Sequence, residues 1–173
     1  MRAVVRNRYR SPLDVLELRE VEKPTVGEDE VLVRVRASSV NPVDWHGATG
    51  TPYLARLLDG LRGPKSPSVG VDFAGEVEAI GANVTQFAPG DEVFGGRTGA
   101  FAEYVSVRNA IARKPANLTF EEAAAVPVAA ITALQGLRDK GTLEPGQKVL
   151  VNGASGGVEP LRCRSRRRSA PPT

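Results

Sequence analysis

The sequence predicts a mainly β fold, in which a small, partly open β-barrel is followed by helices and by the first strand of an α/β unit. Short alternating segments bounded by glycine and proline fill the first part of the chain, as is typical of a small barrel. The apolar residues then take up a helical period. An apolar run finally leads into a glycine-rich turn, as the first strand of an α/β unit does.

Six segments are expected to form strands, because apolar and polar residues alternate in them between glycine or proline signals. They lie at 3–5, 16–21, 30–40, 73–80, 91–94 and 102–107. The segment at 30–40 has the clearest alternation. Its valines at 31, 33 and 35 would face one side of the sheet, and the residues between them would face the other, namely Leu32, Arg34 and Arg36.

The first predicted helix begins at Thr119, a candidate N-cap. Glu121 and Glu122 then fall in the first turn, where the helix dipole favours acidic side chains. This helix is short and is expected to end near residues 126–127.

The second predicted helix covers residues 128–140, with Gly141 as its C-cap. Its apolar residues share one face, namely Ile131, Leu134 and Leu137. Residues 148–151, which are apolar after Lys148, are then expected to form a buried strand that ends in the glycine-rich turn at 152–158.

Composition and charge exclude several classes of protein. The 173 residues are 41% hydrophobic and carry a net charge of +3, but residues 159–173 hold five arginines and one glutamate. The rest of the chain is therefore close to neutral and has no basic face for nucleic acid. One cysteine and one histidine exclude a disulfide framework and a zinc site built from several of these residues.

The location of the protein is expected to be cytoplasmic. The longest apolar runs are too short to span a bilayer, so no membrane partner is expected. The first residues alternate like a strand and lack the charged and apolar regions of a secretory leader.

The glycine-rich turn is the candidate phosphate-binding motif, at Ala154, Ser155, Gly156, Gly157 and Val158. A strand followed by such a turn and a helix presents backbone N–H groups to a pyrophosphate, and glycine lets the phosphate approach closely. An ordinary loop is the alternative interpretation. The position after Val158, where the fingerprint needs a small residue, is occupied by a glutamate that would repel phosphate.

Several segments in order resemble the medium-chain dehydrogenase/reductase superfamily: VLVRVRASSVNPVDW, GVDFAGEVEAIGANVTQFAPGDEVFG, AFAEYVSV, KPANLTFEEAAAVPVAAITALQGL and GQKVLVNGASGGV. The closer similarity is to its zinc-independent quinone oxidoreductase (zeta-crystallin-like) branch. The resemblance implies a GroES-like catalytic domain at 1–118 and the start of a Rossmann domain at 119–158. It also implies NADPH as the cofactor and, in full-length relatives, a possible homodimer.

The residues at the zinc positions of the superfamily indicate that no metal is bound. Zinc alcohol dehydrogenases have a cysteine in place of Asn41, and a His-Glu pair in place of Val71 and Asp72. A catalytic zinc needs three N, S or O ligands, which these residues do not supply. The chemistry that remains is hydride transfer from nicotinamide to a small quinone or enone-like acceptor.

The resemblance implies Asn41 and Asp44 as catalytic residues, and Asn41, Thr132 and the turn at 154–158 as cofactor-binding residues. The Asn41 amide could bond nicotinamide or the oxygen of the acceptor. Each residue also has a structural alternative, because Asn41 could end a strand, Asp44 could cap a turn, and Thr132 could bond its own helix. The functional interpretation is preferred for Asn41 and Thr132, and both stay open for Asp44.

Other reactive residues have weaker support. His46 is expected on a cleft wall or at the surface, and Tyr53 belongs to a loop at 51–66 that is either a lid or an exposed segment. Cys163 has no neighbour in sequence that would activate it.

The segment at 159–173 has no apolar period, and two origins are considered for it. One permitted set of codons, reread after a single G is restored in front, encodes GTFAVQIAKALGAAN, which returns the missing glycine and an apolar-faced helix. An out-of-frame, disordered tail is therefore expected, and a genuine basic tail is the alternative. The out-of-frame origin would leave most of the cofactor domain missing and the chain inactive.

Three functions compete at this point. The first is a zinc-independent NADPH-dependent reductase, and the second is a GroES-like module that binds a partner or ligand without catalysis. The third, a nucleic-acid binder that acts through the tail, is disfavoured because no aromatic residues interleave with the arginines.

Overall fold

The structure is a computed structural model, which describes residues 1–144, 146–152 and 156–158. The chain divides into two compact units, Met1–Ala125 and the residues from Val126 onward. The elements of the first unit, in chain order, are β1 (Arg2–Val5), α1 (Pro12–Val15), β2 (Glu17–Glu20), β3 (Val31–Ser39), α2 (Pro42–Thr49), a 3₁₀ turn (Tyr53–Ala55), α3 (Arg56–Asp59), β4 (Asp72–Ile80), β5 (Glu92–Gly96), β6 (Tyr104–Val107), β7 (Ile111–Arg113) and α4 (Phe120–Ala124).

The strands of the first unit form two open antiparallel sheets. Five strands pair in the order β6-β3-β4-β5-β7, and β1 pairs with β2. Isolated bridges join Ala3 to Ala102 and Val5 to Ser68. The prediction of a mainly β fold is therefore confirmed, although neither sheet closes on itself within the described residues.

The main hydrophobic core lies on one face of the five-stranded sheet, and its largest fully buried side chain is Phe73. Val31 and Val33 of β3 are buried there, whereas Arg34 and Arg36 are exposed, as the alternation predicts. The pairing of β3 with β4 shifts register twice, between Leu32 and Val33 and again between Val35 and Ala37. Such irregularities bend a strand, and here they fall along the strand that leads to α2.

A smaller apolar cluster joins α4 to the sheet. Ala74 of β4 packs there with Ala123 and Ala124, and all three are fully buried. Thr119 caps α4 as predicted, since its hydroxyl oxygen accepts from the Glu122 N–H at 3.2 Å and the Glu122 carboxylate accepts from the Thr119 N–H at 2.9 Å.

The sequence patterns did not predict α1, α2, α3 or β7. The helices among these are short, and two of them begin with a proline, at Pro12 and Pro42. Proline was taken as a sign of a turn, but it also suits the first position of a helix. An N–H group at that position would have no partner within the helix, so proline loses nothing by lacking one. β7 has only three residues, too few to show an alternation.

The second unit contains α5 (Pro127–Leu134), which continues as a π-helical turn, η1 (Gln135–Lys140). The prediction of one α-helix over 128–140 is thus confirmed for residues 128–134, and it is wrong in helix type for residues 135–140. The helical segment ends at Gly141 as expected, although the φ angle of this residue is −83° and its backbone is not left-handed. Ile131 and Leu134 remain 48% and 43% exposed.

The prediction of a buried strand at 148–151 is wrong. No strand forms over these residues, and the Leu150 side chain is 95% exposed. A single strand needs a neighbour to bond its backbone, and the described residues of this unit provide none. The proposed tail at 159–173, with Cys163, lies outside the described residues. No helix in the described part of the chain combines the length and the apolar character needed to cross a bilayer.

Candidate functional site

The candidate site is built around the start of α2, where the chain leaves β3. Asn41 precedes the helix with an extended backbone (φ −120°, ψ 159°), and Pro42 follows at the first helical position. Asp44 Oδ2 accepts from the backbone N–H of Asn41 at 2.7 Å. The two residues form a capping box, so the structural alternative considered for Asp44 is present in the fold.

The Asn41 carboxamide is bonded to a buried carboxylate. Its Nδ2 donates to Asp72 Oδ2 at 3.0 Å and to Ser39 Oγ at 3.3 Å. The Ser39 hydroxyl itself donates to Asp72 Oδ2 at 3.2 Å, and Asp72 is completely buried. The antiparallel register places Ser39 opposite Asp72, so the two strands bring this carboxylate to the N-terminus of α2.

The pKa of Asp44 is raised above its ordinary value. Burial of the carboxyl is the main cause, and the charge of nearby Asp72 acts in the same direction. The hydrogen bond from the Asn41 N–H opposes the shift by stabilising the ionised form. A carboxyl raised in this way keeps its proton to higher pH than an exposed aspartate does.

A cavity of about 280 Å³ lies beside this helix. Asp44 and His46 line it from α2, and apolar side chains such as Val43, Val69 and Val71 contribute to its wall. Trp45, the single tryptophan of the chain, is half exposed. Its ring contacts the His46 ring edge-on, with 5.1 Å between the ring centroids. His46 is therefore a cavity-wall residue, one of the two positions expected for it.

The wall of the cavity also carries an ion pair whose arginine is buried. Arg6 is 7% exposed, and its Nη2 donates to Asp59 Oδ2 at 2.7 Å, while Nη1 donates to the Gly47 carbonyl oxygen. The Arg6 Nε is buried without a hydrogen-bond partner. The Tyr9 hydroxyl donates to the same Asp59 oxygen at 3.0 Å, and burial together with Asp59 raises the pKa of Tyr9.

Arg56 fastens the segment after α2 to the end of that helix. Its Nε donates to the Gly50 carbonyl oxygen at 2.9 Å, and its guanidinium lies over the rings of Tyr9 and Tyr53 at 4.6 and 4.7 Å. Gly50 has φ +64°, and a Cβ there would lie 2.5 Å from Arg56 Nε. Tyr53 is 72% exposed and stacks on the arginine from outside.

Four residues of this cavity were not expected from the sequence: Arg6, Tyr9, Arg56 and Asp59. The alternation of β1 gave no signal for Arg6, because it places Arg6 on the same face as the exposed Arg2. Asp72 was considered only as the occupant of a zinc position, and its contact with Asn41 was not foreseen.

Of the predicted cofactor residues in the second unit, the structure describes Thr132, Gly156, Gly157 and Val158, and the first three are exposed. The Thr132 hydroxyl donates to the Val128 carbonyl oxygen of its own helix at 2.6 Å, which is the structural alternative considered for it. Gly156 and Gly157 lie in an exposed bend, where nothing comes within 4 Å of a Cβ built on Gly157, and Val158 is half-buried. Ala154 and Ser155 lie outside the described residues.

The described residues do not by themselves form a pyrophosphate site. Phosphate binding at such a turn needs a preceding strand and a following helix that direct backbone N–H groups at the ligand. Residues 146–152 contain neither element, and no helix follows in the bend at 156–158. In the same described part of the chain, no group of three or more His, Cys, Asp or Glu side chains could hold a metal ion.

Comparison with known proteins gives a consistent family. Residues 27–116 match the model of the alcohol dehydrogenase GroES-like domain. The chain is 37% identical over 167 residues to a quinone oxidoreductase of Lama guanicoe, covering 94% of this chain and 48% of that protein. It is 37% identical over 161 residues to a 2-methylene-furan-3-one reductase of Solanum lycopersicum, covering 86% of this chain and 40% of that protein.

Solved structures agree with this assignment. The quinone oxidoreductase of Coxiella burnetii superposes with a TM-score of 0.86 at 31% identity, over 98% of this chain and 54% of that one. The Escherichia coli quinone oxidoreductase complexed with NADPH superposes with a TM-score of 0.83 at 26% identity, over 98% and 51%. The chain thus spans about half the length of the relatives that it matches.

Proposed function

The chain belongs to the alcohol dehydrogenase GroES-like domain family, within the medium-chain dehydrogenase/reductase superfamily, and from that premise we propose that it provides the acceptor site of an NAD(P)H-dependent quinone oxidoreductase. The acceptor is a quinone or an enone-like compound. The observation that carries the proposal is the cavity next to α2, which is lined by Asp44, a carboxyl of raised pKa.

The cavity suits a small and largely apolar acceptor. Its volume of about 280 Å³ lies at the lower end of the range of about 300–1,000 Å³ that ligand pockets occupy. Valines form part of the wall, together with the polar groups of Asp44, His46 and Tyr9. One substituted ring fits this description better than a polycyclic molecule does.

Reduction of a quinone requires a proton in addition to a hydride. A bound nicotinamide would supply the hydride, and a quinone oxidoreductase that resembles this chain was solved with NADPH. Asp44 is the residue proposed to give the proton to an acceptor oxygen, because it lines the cavity and its raised pKa favours the protonated form. Asn41 fixes the Asp44 carboxylate through its backbone N–H.

The reaction is proposed to proceed without zinc. Asn41 occupies the position of a cysteine in zinc alcohol dehydrogenases. Val71 occupies a second zinc position, and its side chain has no atom that binds a metal. A carbonyl oxygen would therefore be activated by hydrogen bonding rather than by a Lewis acid.

Residues 1–173 alone are proposed to be inactive. The described residues at 146–152 and 156–158 do not form the phosphate cradle that NADPH needs, and Leu150 is exposed where a sheet strand was expected. The chain alone is therefore expected to bind the acceptor but not NADPH.

Quenching of Trp45 fluorescence tests the acceptor site directly. Tetramethyl-1,4-benzoquinone is expected to quench this tryptophan with a saturable curve, because Trp45 contacts His46 on the cavity wall. Val71→Phe, which fills the cavity, should abolish saturation, whereas Val40→Phe at a residue 80% exposed should not. Linear, collisional quenching that is equal in all three proteins would contradict the proposal.

A non-catalytic GroES-like binding module is the second candidate, favoured because the described residues at 146–152 and 156–158 form no phosphate cradle. Since residues 1–173 alone are proposed to be inactive, binding of the quinone separates the two functions. Saturable quenching of Trp45 by the quinone supports the acceptor site of an oxidoreductase, and its absence supports the module. NADPH titration, followed by the fluorescence of the cofactor, tests the proposed inactivity, which binding of NADPH with slow oxidation at 340 nm in the presence of the quinone would overturn.

A further inference from the structure

Asp72 is the one fully buried carboxylate in the described part of the chain, and the described bonds of its side chain lead to the candidate site. It begins β4 opposite the last residue of β3, Ser39, and it accepts from the first residue of the α2 cap, Asn41. Burying a carboxyl group is costly unless hydrogen bonds replace those it makes with water, so this position requires hydrogen-bond donors around the Asp72 oxygens.

The requirement determines which end of the Asn41 amide faces inward. Asp72 Oδ2 accepts from both Ser39 and Asn41, and an acceptor oxygen is met by the NH₂ group of an amide and not by the amide oxygen. The two N–H bonds of that group are then both used, one by Asp72 at 3.0 Å and one by Ser39 Oγ at 3.3 Å. The Ser39 hydroxyl proton goes to Asp72 at 3.2 Å, which leaves Ser39 Oγ free to accept.

The amide oxygen is the remaining group of the Asn41 side chain. It accepts from the Asp44 backbone N–H in the capping box, and because a carbonyl oxygen can accept two hydrogen bonds, one position remains for a ligand. Asn41 does not itself line the cavity, but it is only partly buried and lies two residues before Val43, the first residue of α2 that does, so a ligand bound there can approach it.

We propose that Asp72 is a positioning residue that locks the Asn41 carboxamide with both N–H bonds inward, so that Asn41 recognises an N–H or O–H donor of a ligand and not a carbonyl oxygen. In the site proposed above, on which this inference rests, Asn41 therefore does not activate the quinone oxygen. It instead favours the reduced form, whose hydroxyl group can donate to the amide oxygen.

Exchange of the Asn41 side-chain protons with water tests the positioning without any ligand or turnover. The Nδ2 resonance is identified by its loss in Asn41→Asp, and its exchange is measured by transfer of magnetisation from water. We expect exchange at least about tenfold slower than at the exposed Asn7, and acceleration of about tenfold in Asp72→Asn.

Two serines make a matched pair of controls. Ser39 bonds the Asp72 carboxylate and the Asn41 amide, whereas Ser38 Oγ donates to the backbone oxygen of Asp72 at 2.5 Å. Ser39→Ala should accelerate the exchange at Asn41, and Ser38→Ala should leave it unchanged. This pair decides the question even if Asp72→Asn does not fold. Equal exchange rates in both serine variants and in the unchanged protein would overturn the positioning role.

The ligand preference is tested anaerobically with tetramethyl-1,4-hydroquinone, which has O–H donors, and with its quinone, which has only acceptors. The unchanged protein should bind the hydroquinone about tenfold more tightly by Trp45 quenching, and Asp72→Asn should remove most of that preference, because its amide lets Asn41 turn over. Equal affinities in the unchanged protein would overturn the ligand preference. If neither compound binds, the acceptor site itself is wrong, whereas the exchange rates still decide the role of Asp72.

Discussion

Replacing Asp59 by alanine should destabilise the first unit far more than the loss of an ordinary surface charge. The change leaves the Arg6 guanidinium, which is 7% exposed, without its anionic partner. Breaking a fully buried pair costs about 3–5 kcal/mol. Asp59 is 38% exposed and Arg6 keeps its bond to the Gly47 carbonyl oxygen, so we expect a loss of about 2–3 kcal/mol in the free energy of unfolding.

The assay is urea unfolding followed by Trp45 fluorescence, with Glu17→Ala as the matched control. Glu17 pairs with Arg19 at the surface, where the two side chains are 47% and 55% exposed, and this pair should contribute about 0–1 kcal/mol. Equal losses in the two variants would refute the assignment of Arg6 and Asp59 as a buried ion pair.

The same variant gives a second, independent measurement. Asp59 raises the pKa of Tyr9 through a hydrogen bond and through its charge, in addition to the effect of burial. Absorbance at 295 nm should therefore show one of the three tyrosines ionising at lower pH in Asp59→Ala. An unchanged titration curve would show that Tyr9 and Asp59 do not interact in solution.

Three further predictions concern the pH dependence and the sheet. The pKa of Asp44 is higher in the folded than in the unfolded chain, so the stabilisation by the protonated carboxyl is complete below the unfolded pKa and falls as pH rises through the folded pKa. Asp44→Asn should remove this fall in the free energy of unfolding, measured by urea unfolding across acidic pH. An unchanged dependence on pH would contradict the shift. Phe73→Ala empties a fully buried site and should cost about 3–5 kcal/mol by urea unfolding, so a loss below about 1 kcal/mol would place Phe73 outside the core. Gly75→Ala would put a Cβ 2.1 Å from the Arg34 carbonyl oxygen, and we expect loss of cooperative unfolding by circular dichroism, whereas a native-like transition would show that β3 can move away.

Predictions from the sequence were most successful where the cause is local. The alternation in β3 places Val31 and Val33 inward, because successive side chains of a strand point to opposite faces. The cap at Thr119 involves residues three positions apart, so its pattern is visible in the sequence. Both features depend only on neighbouring residues.

Predictions failed where local preference needs a partner from elsewhere. Residues 148–151 have the composition of a buried strand, yet no described strand lies beside them to bond their backbone. The opposite failure occurred at Pro42, where a turn signal begins a helix because Asn41 and Asp44 form its cap. A window of sequence shows the preference of a segment but not whether a partner exists.

The sequence by itself determined the mainly β architecture and the family. Only the tertiary structure showed that Asp72 bonds the Asn41 amide and that Arg6 pairs with Asp59 in the wall of the cavity. Thirty-one positions separate the first pair and fifty-three the second. Hydrogen bonds act over about 3 Å in space, so which distant residues meet is decided by strand register and chain crossing, and the order of residues does not reveal it.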